Sequence, residues 1–331
     1  MLKAIDDSTV TSDGWDPNKT TLNTRLVIQD PTAIGYLGDF NSGASAISIP
    51  LLNRAGIVQI SSASTAVGLT STGPGAAPGE PQKYYPTGIR TFARVVPTDA
   101  SQAVALLAIQ RSIGCHTTFV LHDGEFDGFD AALSYAQSAG LRAAGPLPFT
   151  RQASTYGSLV KTVATSGADC VLISAIDERS SVALTEQLAS AVPAATIFVG
   201  NGLANYAYLD AVPQSLDPRL IVLSATLPAR DYATPARGFL ARYEQRFGTP
   251  EPSAIFGYAA MELMLDVIDD ATDGGRKQAD RAKVIAALFD GDQRRTVFGM
   301  IHISRAGEVT IHRFGIYRLV NGRLSFLQAA G

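Results

Sequence analysis

The sequence predicts an α/β fold built from two doubly wound, Rossmann-like lobes. Short apolar runs alternate with helix-period segments along most of the chain, the sequence form of βα units. The runs are continuously apolar, as strands covered on both faces are. The length of 331 residues is about twice the ~150 of a single domain.

Taken in order, LKAID at 2–6 reads as a strand, and Asp16-Pro17 as the cap and first position of a helix running to about Gln29. The strand TAIGYL follows, then a helix over 43–55 stopped by Gly56, and the strand VQISS. After a Gly/Pro-rich stretch over 70–90, TFARVV leads through Pro97-Thr98-Asp99 into a helix carrying Val104, Leu107 and Ile109. A second series comprises TTFVLHD, a helix near 128–139, LRAAGPLPF, a helix near 155–166, ADCVLISA, a helix near 178–191, ATIFVGN and RLIVLSA. Helices over 234–247, 253–271 and 277–289 bring no new parallel strands and need an existing sheet to cover. The strand-like runs VFGMIHI, VTIHRFGIYRLV and LSFLQ end the chain, with turn signals at Arg305-Ala306-Gly307 and Asn321-Gly322. The simplest packing places 1–101 and 231–298 in the first lobe, and 102–230 and 299–331 in the second.

Composition narrows the function. Hydrophobic residues make up 46% and charged residues 17%, which suits sizeable cores and excludes a disordered chain. With 27 Lys+Arg against 30 Asp+Glu there is no basic stripe, so a nucleic acid or an anionic membrane surface is not the expected partner. The longest apolar stretches, such as AVALLAI at 103–109, are far short of the ~20 residues of a membrane span. Cys115 and Cys170 each open an apolar run and read as small buried side chains, their pairing left open; the absence of CxxC or a Cys/His cluster argues against zinc. The motifs GxSxG, HExxH, GxxxxGK[ST] and GxGxxG are missing, and His116, His122, His302 and His312 read as structural. Neither an enzyme nor a cofactor or metal is expected.

Strand C-terminal ends are where open parallel sheets bind ligands. Ser42 follows TAIGYL and GDFN and opens a helix, so its hydroxyl and the helix amides can receive a carboxylate, although a Ser there is also an ordinary cap. The run SSAST at 61–65 offers hydroxyls and turn amides at the matching position after the next strand.

The stretch AIGYLGDFNSGASAISIPLLNRAGIVQISSASTAVGLT, continued by RVVPTDASQA, FVLHDGEFDGF, ADCVLIS and AIFGYAAMELMLDVID, resembles the periplasmic branched-chain amino-acid binding proteins of ABC transporters over nearly the whole chain. The resemblance implies a type I periplasmic binding fold with three crossovers, closing on a small ligand by hinge motion. It implies that Ser42 and Thr65 hold the ligand carboxylate while the backbone of Ala63 and Ser64 receives an ammonium. Phe126 stands where the family has a covering tyrosine and serves as an apolar wall or core residue. Asp177 pairs an ammonium or caps the helix at 178. The family's ammonium-neutralising carboxylate after ATIFVG is replaced by Asn201-Gly202-Leu203. The implied ligand is therefore a small carboxylate-bearing molecule, an amino acid or a relative. The 70–90 stretch, with Tyr84 and Tyr85, is read either as a contributor at the cleft mouth or as a solvated loop.

In the family a strand and helix precede the one LKAID resembles, so the natural gene is expected to begin upstream with that unit and an export signal, and the first lobe to be the less stable. The expected function is a monomeric extracytoplasmic solute receptor of an ABC importer, partnered by a permease and its ATPase. The alternative is a cytoplasmic ligand sensor on the same fold, of the amide-sensor type.

Overall fold

The computed structural model describes residues 2–9, 14–124, 136–151, 153, 155–311 and 313–331. The chain divides into two units: Met1–Thr98, Tyr232–Pro250 and Ala254–Ile311 form the first, and Asp99–Asp231, Glu251–Ser253 and His312–Gly331 the second. Apart from the excursion at 251–253, the chain passes between units three times.

LKAID forms no strand. Leu2 is 73% and Ile5 38% exposed, Asp6 is tied down by its carbonyl, which accepts from Asn23 Nδ2 (2.8 Å), and just beyond it Ser8 forms an isolated bridge with Trp15. Strand-forming residues without a partner ladder leave their amides to water, so propensity alone does not hold them extended. Helix α1 (Pro17–Gln29) starts where expected, Asp16 Oδ1 accepting from Lys19 N with proline in the first turn. Strand β1 (Gly35–Leu37), helix α2 (Ser42–Arg54), strand β2 (Val58–Ser61) and strand β3 (Phe92–Arg94) follow. The strands form a parallel sheet in the order β1-β2-β3. Tyr84 and Tyr85, 7% and 6% exposed, pack with Ile49, Leu69 and Phe92, so the 70–90 stretch is a plug on the first unit's core and its tyrosines do not face solvent. Glu80 organises it, accepting from Ala77 N (2.7 Å) and Tyr84 Oη (2.5 Å).

The second unit begins at helix α3 (Asp99–Ser112) and continues through strands β4 (Thr117–His122) and β5 (Arg142–Pro148), helix α4 (Gly157–Thr165), strand β6 (Cys170–Ser174), helix α5 (Glu178–Ala191), strand β7 (Thr196–Val199), the short helix α6 (Tyr206–Leu209) and strand β8 (Leu220–Ser224). Strands β6 and β8 are buried along their whole length, as their continuously apolar sequences require. The helix read near 128–139 falls mostly outside the described residues. Cys115 and Cys170 form a disulfide with Cα atoms 6.0 Å apart, joining the segment before β4 to the first residue of the neighbouring strand β6.

Helices α7 (Thr234–Phe247), α8 (Ala254–Ala271) and α9 (Arg281–Leu288) return to the first unit. Helix α8 buries Ile255, Ala259, Leu263, Met264 and Val267 along one face. A Cβ on Gly35 would lie 2.5 Å from Met264 Sδ, so β1 lies close to α8 because position 35 has no side chain. Strands β9 (Gln293–Thr296) and β10 (Gly299–His302) then pair as an antiparallel hairpin. The sequence reading ended the first lobe at 298; this hairpin and the turn after it keep the chain in the first unit to Ile311. Strands β11 (Phe314–Val320) and β12 (Arg323–Ala330), turning at Asn321-Gly322, complete a seven-stranded sheet of order β12-β11-β8-β7-β6-β4-β5 in the second unit.

Candidate functional site

The loops that follow β1 and β2 meet at one end of the first unit's sheet. Ser42 opens α2 behind Asn41, whose side chain makes no capping bond, so the first-turn amides have no side-chain acceptor. The Ser42 hydroxyl, 6% exposed, accepts from Thr65 N and Ala66 N, each at 3.1 Å. A hydroxyl has two acceptor positions and one proton to give. Both acceptor positions are filled and its proton has no acceptor among the described residues, so Ser42 is fixed as a donor. Thr65 and Ala63 are partly exposed beside it.

Ser64 departs from the sequence expectation. Fully buried, its hydroxyl bonds Ser45 Oγ (2.8 Å) and the Asp39 carbonyl (3.0 Å), while its own carbonyl accepts from Arg94 Nη1 (2.8 Å). Those bonds make Ser64 an anchor of the loop, and the Arg94 guanidinium already occupies one of the two acceptor positions of its carbonyl. Ser61 does the same, giving its proton to the Asp39 carbonyl (2.7 Å) and accepting from Ala63 N (3.2 Å) and Ser64 N (2.9 Å).

Beneath both loops lies a polar network that sequence reasoning missed. Asp39, 5% exposed, accepts from Tyr36 Oη (2.6 Å) and Ser48 Oγ (2.5 Å), its amide donates to Ser45 Oγ (3.1 Å), and Gln59 Nε2 donates to the Gly38 carbonyl (2.9 Å). Burial pushes the Asp39 carboxyl above its ordinary range, partly offset by the Ser48 and Tyr36 hydrogen bonds. Burial and the adjacent Asp39 likewise push the Tyr36 phenol up. The visible signs were Gln59, set between the apolar Val58 and Ile60, and Arg94, set between Ala93 and Val95.

In the second unit the corresponding strand ends carry Asp123, Asp177 and Asn201. Asp123 Oδ2 accepts from Arg151 Nη2 (3.1 Å), Ile176 N (3.0 Å) and Asp177 N (3.3 Å), tying the β4 and β6 loops together. Asp177 occupies the N-cap of α5, yet its side chain makes no capping bond and its Oδ2 is buried without a hydrogen-bond partner. Of the two sequence readings, the position is that of a cap and the side chain does not act as one. Asn201 is held in place by two bonds: its backbone amide donates to Gln102 Oε1 (2.6 Å) and its Oδ1 accepts from Ala225 N (2.7 Å), which engages the oxygen with the β8 loop. Phe126 lies outside the described residues.

Other surface features lie away from these loops. Broad concavities of about 510 to 620 Å³ sit beside α4 and α5 and along α7 and α8, and none is lined by Ser42 or residues 61–66. The one group of potential metal donors among the described residues is Cys115, Asp169 and Cys170, whose sulfurs are joined in the disulfide. No helix among those residues is long and apolar enough to cross a membrane.

Two α/β units joined by three passages of the chain, with hydroxyls and amides gathered at strand ends, define the type I periplasmic binding fold of solute-binding proteins. The family described as periplasmic binding protein matches residues 9–323, and the chain belongs to it. Among solved structures it is similar to a leucine-binding protein LivK from Thermotoga maritima (TM-score 0.82, 16% identity, 96% of this chain and 85% of that one). It is also similar to the branched-chain amino-acid binding protein LivJ from Streptococcus pneumoniae in complex with isoleucine (TM-score 0.77, 14% identity, 95% and 84%). A solute-binding protein from R. palustris in complex with benzoate is similar too (TM-score 0.76, 16% identity, 96% and 82%). No curated protein sequence matches the chain.

Proposed function

We propose that this chain is the extracytoplasmic receptor of an ABC importer and takes a small carboxylate-bearing solute, an amino acid or an aromatic acid, for delivery to a permease and its ATPase. The observation that carries the reading is the state of Ser42. With both acceptor positions filled from Thr65 N and Ala66 N, it has only a proton to offer, and so it selects a ligand atom that accepts. The uncapped first turn of α2 adds free amides at the positive end of a 13-residue helix, which favours a negative charge there. Family membership supports the receptor role and its hinge closure on the ligand. The disulfide supports the compartment, since such bonds persist in oxidising surroundings and are rare in the cytosol, which weighs against the cytoplasmic-sensor reading.

A thermal-shift screen of amino acids, aromatic acids and their amides tests the proposal. An acid at ~100 times its dissociation constant stabilises by about 2.7 kcal/mol. Ser42→Ala and Thr65→Ala should abolish the shift for acids. Acid-induced shifts of the same size in both variants would place the site elsewhere.

A further inference from the structure

Arg94 lies at the end of β3 with its guanidinium wholly inside the first unit, 0% exposed. Nη1 donates to the Ser64 carbonyl at 2.8 Å, and Nη2 donates to Thr70 Oγ1 and faces Glu308 Oε1 at 3.3 Å. Nε has no partner among the described residues. Its backbone amide donates to the Gly307 carbonyl at 3.0 Å, so the turn at 304–308 is seated against β3. Among the described residues the only carboxylate paired with this buried cation is Glu308, 21% exposed, which hydration partly screens.

The Ser64 carbonyl and the Thr65 amide belong to one planar peptide, so fixing the oxygen on one side aims the N–H to the other. That N–H meets Ser42 Oγ. A row of donors therefore runs head to tail from the guanidinium through the Ser64–Thr65 peptide to the Ser42 hydroxyl, and each member polarises the next. We propose that Arg94 is the positioning residue of this loop, aligning the Ser64–Thr65 peptide with its charge so that Ser42 prefers an ionised oxygen to a neutral one, and that Glu308 tempers that preference. The proposal rests on the reading of Ser42 as the carboxylate donor and deepens it: at this end of the site the ligand is an anion, and a primary amide is a poor substitute. A residue that merely fills space in the core would influence acid and amide alike.

The test is isothermal titration of the full chain with L-leucine, L-isoleucine, benzoate and 4-hydroxybenzoate, each beside its primary amide, and the readout is the ratio of acid to amide affinity. Arg94→Met should lower that ratio at least tenfold. Arg94→Lys, which keeps the charge without the fork, should weaken both ligands and restore most of the ratio. Glu308→Gln keeps the fold independent of the buried cation's loss and should raise the ratio at least threefold. If Ser42→Ala weakens acid binding while the ratio stays within twofold of wild type in both Arg94→Met and Glu308→Gln, Arg94 is structural only and the inference fails by itself. If Ser42→Ala leaves acid binding unchanged, or the wild-type chain binds none of the acids, the reading beneath it fails as well.

Discussion

Opening the Cys115–Cys170 disulfide should loosen the second unit far more than the first. The bond spans 55 residues of chain, which include β4, β5 and α4. In the chain-entropy treatment, releasing a loop of that length returns about 14 cal/mol/K to the unfolded state, or about 4 kcal/mol at 25 °C. Both cysteines are buried, 8% and 3% exposed, and neither strand depends on the bond for its ladder, since Thr118 and Cys170 already stand in register. The native state should therefore survive reduction and the loss should appear in the unfolding equilibrium. For a unit of about 150 residues, ~4 kcal/mol corresponds to a fall in Tm of roughly 8–16 °C. Differential scanning calorimetry of the chain with and without a phosphine reductant, beside the Cys115→Ala/Cys170→Ala variant, measures it. A transition that moves by less than about 2 °C, or a protein that titrates two free thiols when prepared under oxidising conditions, would refute the reasoning and remove the compartment argument with it.

Asp177→Asn replaces a side chain whose Oδ2 is buried without a hydrogen-bond partner by a neutral one and should raise stability by about 1 kcal/mol; chemical denaturation reads the effect, and an unchanged or lower stability would contradict it. Because burial raises the Asp39 carboxyl in the folded state, the folded chain holds a proton there that the unfolded chain has already lost. Its contribution to stability is greatest below the ordinary aspartate range and falls as pH rises through the folded value. Asp39→Asn should flatten that part of the stability profile, and a profile parallel to wild type from pH 4 to 8 would show that the carboxyl is not shifted upward. Gly307→Ala places a Cβ 2.2 Å from the Phe92 carbonyl oxygen at a φ of +93°, so it should destabilise the first unit by more than the ~1 kcal/mol of a strained backbone alone and weaken acid binding through Arg94.

Much of the fold was legible because its central parallel strands, among them β2, β6 and β8, are buried on both faces and their residues say so. VLIS in β6 and IVLS in β8 admit no other placement, and Asp16-Pro17 marks the start of α1 by chemistry that acts within one turn. LKAID was misread for the opposite reason: its pattern suits a strand, but a strand needs a neighbour, and periodicity cannot say whether one is there. The hairpin of β9 and β10 was partly hidden because Gln293, Arg294 and Arg295 look like surface. Arg294 is instead 4% exposed, held by Asp266 (3.1 Å), Asp270 and Asp290 (2.5 Å). Ser42 and the 61–65 loop were singled out from their positions after strands, and the structure brings them into contact. What those positions could not reveal was which polar groups are spent inside the protein. Ser64 and Asn201 are committed to Arg94, Asp39 and Ala225 by contacts that bring together residues up to 30 positions apart.

The most direct measurement is a crystal structure of the chain with a bound acid. It should show a carboxylate oxygen about 2.5–3.0 Å from Ser42 Oγ, with the Thr65 and Ala66 amides still donating to that same atom. A ligand seated away from Ser42, or a Ser42 proton directed to a protein acceptor instead, would contradict the account.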